Sequence, residues 1–285
     1  MAMSDDFGNA SELFLSVIKN NINESSLMWL ESAGKSAEIE KLVQAFVMLP
    51  RKTGKSPLKI SSQQQDALQQ LDMSHLNNWT IDRLARVWLL GVQSLAGAEK
   101  SHPVIESLFL SAEMNEAVAL YSALPFLAKP KTWVKRCAEG IRSNIGSVLE
   151  AIMENNLYPS ENLDEAAWNQ LVLKAFFTER NITKIQGLDE RANEQLALTL
   201  SDYARERYAA GRAVNPQLWR VVGYFINDKI FEAIKIGLAN QDDREHKAIA
   251  VAISMSDYGL AKVYISQIPE LKAVVSEQAL SWDLI

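Results

Sequence analysis

The side chains best suited to chemistry in this sequence lie between residues 168 and 219, where guanidinium groups alternate with carboxylates and large aromatic rings. Gly187-Leu188-Asp189-Glu190-Arg191-Ala192-Asn193 is followed by Tyr203-Ala204-Arg205-Glu206-Arg207-Tyr208-Ala209-Ala210-Gly211-Arg212. Arginine offers a planar fork of donors that matches an oxyanion. Arg191, Arg207 and Arg212, with Lys174, are therefore candidates to bind a carboxylate, a phosphate or a phenolic ligand. Trp168 and Trp219 are candidates to line such a pocket, and both also suit a core position. A structural reading competes for the same charges. Asp189 at a helix start would accept free backbone N–H groups, while Arg205 and Arg207 near the other end complement the negative helix terminus.

A second basic group comprises Arg51, Lys52 and Lys55, with Lys59 nearby and no acid between Glu40 and Asp66. It reads as a solvated loop or as a contact for an anion, a phosphate or an acidic partner. Thr53-Gly54-Lys55-Ser56 ends like a phosphate-binding loop, but that motif needs a glycine where Leu49 stands. His75, His102 and His246 have no helical i, i+4 partner, and Cys137 is the one cysteine. No metal site and no cofactor are expected from these spacings. Cys137 reads as a buried packing thiol, with a reactive thiol beside Lys135 and Arg136 as the alternative.

The elements that must position these groups are helices. Only 12 glycines and 8 prolines occur in 285 residues, which disfavours a fold built on many tight turns. After Asn23, an apolar stripe runs through Leu27, Leu30, Leu42, Phe46 and Leu49, and Pro50 is expected to stop it. Thr80 and Asp164 read as N-caps, Asp189 as the start of a helix of about twenty residues ending at Gly211, and Asn215-Pro216 as another helix start. No period-2 strand pair or Asn-Gly hairpin signal appears. The expected class is all-α: an irregular HEAT-like array, an α-solenoid of antiparallel helix pairs, with a multi-helix bundle as the alternative. Residues 1–10 read as a disordered lead, and 11–285 as a single continuous helical domain.

The formal charge of -6 opposes the positive field on which nucleic-acid binding relies, so nucleic acid is not an expected partner. The strongest apolar runs, Val87 to Val92 and Ala248 to Ile253, are far shorter than the roughly 20 residues of a membrane span. A cytoplasmic location is expected, with any membrane association made through a partner.

Leu163-Asp164-Glu165-Ala166-Ala167-Trp168-Asn169-Gln170-Leu171-Val172-Leu173-Lys174-Ala175-Phe176-Phe177 is followed, in order, by Gly187 to Ala192, Glu206 to Arg212 and Leu218-Trp219-Arg220. With these blocks the chain resembles the EboA-domain family of bacterial proteins over about residues 25–225. The resemblance implies membership of a gene set that moves secondary-metabolite precursors from cytoplasm toward periplasm. Other products of that set would be partners, among them a membrane prenyltransferase-like protein, and a small-molecule precursor would be a ligand. The expectation is a helical adaptor or metabolite-binding protein presenting Trp168, Lys174, Asp189, Arg191, Arg207, Arg212 and Trp219. The alternative is an enzyme that modifies an aromatic or lipid-like metabolite in a helical cavity.

Overall fold

The computed structural model describes residues 3–36, 38, 40–276, 282 and 285. Among them the regular elements are all helical, and an isolated bridge pairs Pro57 with Thr80. The all-α class expected from the sequence is the class observed. The chain divides into two compact units, Met1–Leu163 and Asp164–Ile285.

The first unit contains α1 (Met3–Lys19), α2 (Glu24–Lys35), α3 (Glu40–Thr53), α4 (Ser62–Gln70), α5 (Ile81–Ala96), α6 (Ala98–Ser111), α7 (Met114–Ala123), α8 (Val134–Ile141), α9 (Gly146–Met153) and α10 (Tyr158–Asn162). At its centre is α5, with Leu84, Ala85, Val87, Trp88, Leu89 and Leu90 all buried. A helix buried on nearly every side must be surrounded, and α1, α2, α3, α6 and α7 all pack against it. Helix α1 begins at Met3, inside the stretch expected to be a disordered lead. Phe7 supplies the anchor: it is buried, its ring centroid lies 5.5 Å from that of Phe126, and a Cβ at Gly91 would stand 2.3 Å from Phe7 Cζ.

Pro50 does not end its helix. The stripe expected to be continuous divides into α2 and α3, and α3 runs three residues beyond the proline to Thr53. A proline in a helix leaves the carbonyl four residues earlier without its N–H partner. Here that carbonyl belongs to Phe46, and Arg86 Nε donates to it at 3.1 Å. Arg86 is almost fully buried and also reaches Asp82 at 3.2 Å and Glu116 at 3.3 Å.

The second unit contains α11 (Glu165–Phe177), α12 (Glu194–Ala209), α13 (Leu218–Val222), α14 (Asp228–Leu238), α15 (Asp243–Met255), α16 (Gly259–Ser266) and α17 (Pro269–Ser276). Helix α12 packs on α11, α13 and α14, and α15 packs on α13, α14, α16 and α17. Trp168, Leu196, Leu200, Trp219, Val222, Ile230, Ile249 and Ile253 are buried between them. Asp164 caps α11 as expected, accepting from Ala167 N at 2.8 Å. The helix expected from Asp189 instead starts at Glu194, because Asn193 takes the cap and accepts from Leu196 N at 2.9 Å. Asp189 sits in the preceding turns, after Gly187 at φ 76°. Likewise, Asn215 does not begin a helix directly: its side chain accepts from Gln217 N at 3.0 Å, and α13 follows from Leu218.

Candidate functional site

The second unit is organised around a buried carboxylate. Asp242 caps α15 by accepting from Arg244 N at 3.0 Å and Glu245 N at 3.1 Å, which fixes where the next side chains point. Glu245 is 1% exposed. Its Oε1 accepts from Trp219 Nε1 at 3.0 Å and from the Tyr208 hydroxyl, and its Oε2 accepts from Asn240 Nδ2 at 2.6 Å. Donors from α12, α13 and the α14–α15 turn thus converge on one side chain, which satisfies a group that would otherwise be very costly to bury. Burial, then the hydrogen bond to Glu245, then the charge of that carboxylate push the Tyr208 phenol pKa well above its ordinary value. Gly237 makes room: a Cβ there would lie 2.7 Å from the Tyr208 oxygen.

The sequence neighbours of this pair line a cavity. Arg207 and Arg244, each one residue before a member of the Tyr208–Glu245 bond, stand on its wall. The bond therefore sets the register in which α12 and the start of α15 offer both guanidinium groups. The cavity measures about 480 Å³, within the range of about 300–1,000 Å³ common for small-molecule sites. Its wall also includes Phe176, Arg180, Tyr203, Gln217 and Trp282. Arg207 Nε donates to Ala213 O at 2.6 Å across the turn that Gly211 closes at φ 66°, and its Nη1 lies 3.4 Å from the Tyr203 hydroxyl oxygen. Arg244 Nε donates to the Ile285 carbonyl, and Gln217 Nε2 donates to the Trp282 carbonyl at 2.8 Å. The arrangement suits an oxyanion beside an apolar, partly aromatic surface.

The residues singled out in the sequence fall in several places. Arg207 is on the cavity wall. Trp219 is fully buried and bonded to Glu245. Trp168 is also fully buried, with the Arg191 guanidinium 4.9 Å from its ring centroid. Burial lowers the Arg191 pKa, opposed by the charges of Glu165 and Asp164. Asp189 forms a two-pronged pair with Arg220, both contacts at 2.6 Å, so Arg220 is the cation that answers this acid. Lys174 is half-buried on α11, and Arg212 is exposed just past Gly211. Arg244, Gln217 and Trp282 were not anticipated. Arg244 lies in an Asp-Asp-Arg-Glu run that sequence alone reads as helix-start charge, and Trp282 has no neighbouring motif.

In the first unit Arg51 and Lys52 belong to the last turn of α3, not to a loop, while Lys55 is exposed beyond it. Lys52 Nζ lies 5.5 Å from the centroid of the Trp29 ring, and both residues line a groove of about 350 Å³ with Lys41 and Met48. Cys137 is buried. Among the described residues no helix is long and apolar enough to cross a membrane.

The family model described as metabolite traffic protein EboA matches residues 10–223, about three quarters of the chain. No curated protein and no solved structure matches it. The match takes in Tyr203, Arg207 and Gln217 on the cavity wall, and Trp219, the donor to Glu245, and ends before Arg244, Trp282 and Ile285. On the breadth of that match the chain belongs to the EboA family.

Proposed function

We propose that this protein is a metabolite-binding adaptor that assists the movement of a secondary-metabolite precursor from cytoplasm toward periplasm. The family match over residues 10–223 carries the reading, since that family is described by metabolite traffic. The cavity of the second unit supports it with a volume suited to a small molecule and a wall that pairs guanidinium groups with aromatic rings. In this reading Arg207 holds the ligand, and Trp219 fixes the wall from behind through Glu245. Trp168 with Arg191, Asp189 with Arg220, and the surface side chains of Lys174 and Arg212 serve the shape and the outer face of the same unit. The groove with Lys52, flanked by Arg51 and Lys55, is a contact for an acidic partner. The partners are products of the same gene set, among them a membrane prenyltransferase-like protein through which the adaptor reaches the inner membrane.

Metabolite profiling of a deletion strain tests this role. Accumulation of an unmodified precursor inside the cell, restored to normal by the wild-type gene, is the expected outcome. Loss of a chemically altered product would instead identify an enzyme. Unchanged export in the deletion strain would remove the trafficking role altogether.

A further inference from the structure

The cavity of the second unit has a chemical preference that its wall makes explicit. Among the described residues, three arginines, Arg180, Arg207 and Arg244, face it with one carboxylate, Glu179. Arg207 commits Nε to Ala213 O and Nη1 to Tyr203, and Arg244 commits Nε to the Ile285 carbonyl. With those atoms engaged, each guanidinium keeps terminal N–H donors for a ligand at the wall. Two planar forks with donors to spare match a planar carboxylate, and Glu179 on the same wall disfavours a dianion. Phe176, Tyr203 and Trp282 supply flat apolar surface beside them.

Gln217 adds a second, independent sign. It is 6% exposed, its Nε2 is bonded to Trp282 O, and its Oε1 is buried with no hydrogen-bond partner. A buried acceptor left unpaired is unfavourable, and a ligand hydroxyl would satisfy it.

The geometry points to a small hydroxylated aromatic carboxylate as the ligand of this cavity: its carboxylate on Arg207 and Arg244, its ring against Phe176, Tyr203 and Trp282. The stretch beyond residue 223, outside the family match, supplies Arg244, Trp282 and Ile285 and so completes the site. This assignment rests on the metabolite-binding reading above and gives that reading a ligand class.

Isothermal titration of the full-length protein tests it with para-coumarate, its neutral amide para-coumaramide, and phenyl phosphate. Saturable binding of para-coumarate is expected, with the amide and the phosphate binding more weakly. Arg207→Gln and Arg244→Gln should each weaken para-coumarate about tenfold or more, the scale of one charge-assisted bond, while Lys262→Gln, at an exposed cation on α16 away from the cavity wall, leaves it unchanged. Arg244 is exposed, so its replacement reads binding without threatening the core. Absence of binding, equal binding of the amide, tighter binding of phenyl phosphate, or wild-type affinity in both variants would overturn the assignment. Failure here together with precursor accumulation in the deletion strain leaves trafficking standing and removes only this ligand class. Binding here with unchanged export does the reverse.

Discussion

Trp219 Nε1 donates to Glu245 Oε1 at 3.0 Å, and both residues are buried. That contact ties α13 to α15, and the Tyr208 hydroxyl on the same carboxylate oxygen adds α12. One acidic side chain therefore holds three helices in the register that places Arg207 and Arg244 on the cavity wall.

Glu245→Ala leaves an indole N–H, a phenol and an amide without their acceptor. Losing a buried, fully bonded carboxylate should destabilise the protein by about 3–5 kcal/mol, whereas Glu245→Gln, which keeps one acceptor oxygen, should cost about 1–2 kcal/mol. Urea unfolding followed by tryptophan fluorescence measures both. An alanine variant within about 0.5 kcal/mol of wild type would show that the network does not hold these helices.

Arg86 presents the opposite case, a buried cation among acids. With Asp82 at 3.2 Å, Glu116 at 3.3 Å and the carbonyl that Pro50 frees at 3.1 Å, it satisfies three acceptors at once. Arg86→Ala should destabilise by about 3–5 kcal/mol, chiefly because Asp82 is left buried without its counter-charge. The double variant Arg86→Met with Asp82→Leu should recover much of that loss in thermal unfolding. A double variant no more stable than Arg86→Ala would contradict this account.

Alkaline pH should weaken the first unit. Burial pushes the Cys137 thiol up to about 12. The Tyr121 phenol is also pushed up to about 12, by burial first and then by Cys137 and Glu139. Both groups are neutral when protonated and have pKa values raised on folding. Their contribution to stability is complete below the unfolded values, about 8.5 for a thiol and 10 for a phenol, and is lost as pH rises toward 12. Unfolding free energy should therefore fall between about pH 8.5 and pH 11, with a smaller slope in Cys137→Ala. Native protein should resist iodoacetamide near pH 8 until denaturant is added. Rapid alkylation of the native thiol would refute the buried assignment.

The Asp189–Arg220 pair is half open to solvent, with side chains 44% and 20% exposed. Exposed pairs contribute little, so Asp189→Asn should change stability by less than about 1 kcal/mol even with two short contacts. Thermal unfolding at low and high salt gives the check: the wild-type advantage should shrink with added salt. A loss of several kcal/mol would mean that the turns before α12 depend on this pair.

The helical character of the chain was legible in its residues, and so were some of its boundaries. Asp164 caps the helix it was expected to cap, because a carboxylate one residue before an apolar-periodic run is a local signal. Pro50 and Asp189 misled for the same physical reason. Each carries a strong local preference, yet Arg86 satisfies the carbonyl that Pro50 orphans, and Arg220 takes the carboxylate that was expected to cap a helix. In the candidate site Arg207 could be named from its chemistry and its surroundings in the sequence. Arg244 and Gln217 could not, since neither lies in a pattern that distinguishes wall from surface.

By itself the sequence determined an all-helical chain, its family and the clustering of arginine and tryptophan between residues 168 and 219. Apolar spacing and sparse glycine and proline report which face of a helix is buried, and these are local properties. They do not report what that face is buried against. Tertiary structure alone decided that Trp219 meets Glu245, that Arg86 reaches Phe46, and that residues as distant as Arg207, Arg244 and Trp282 share one cavity. Those pairings depend on how helices far apart in the chain pack, a choice governed by the fit of whole surfaces and not by any short run of residues.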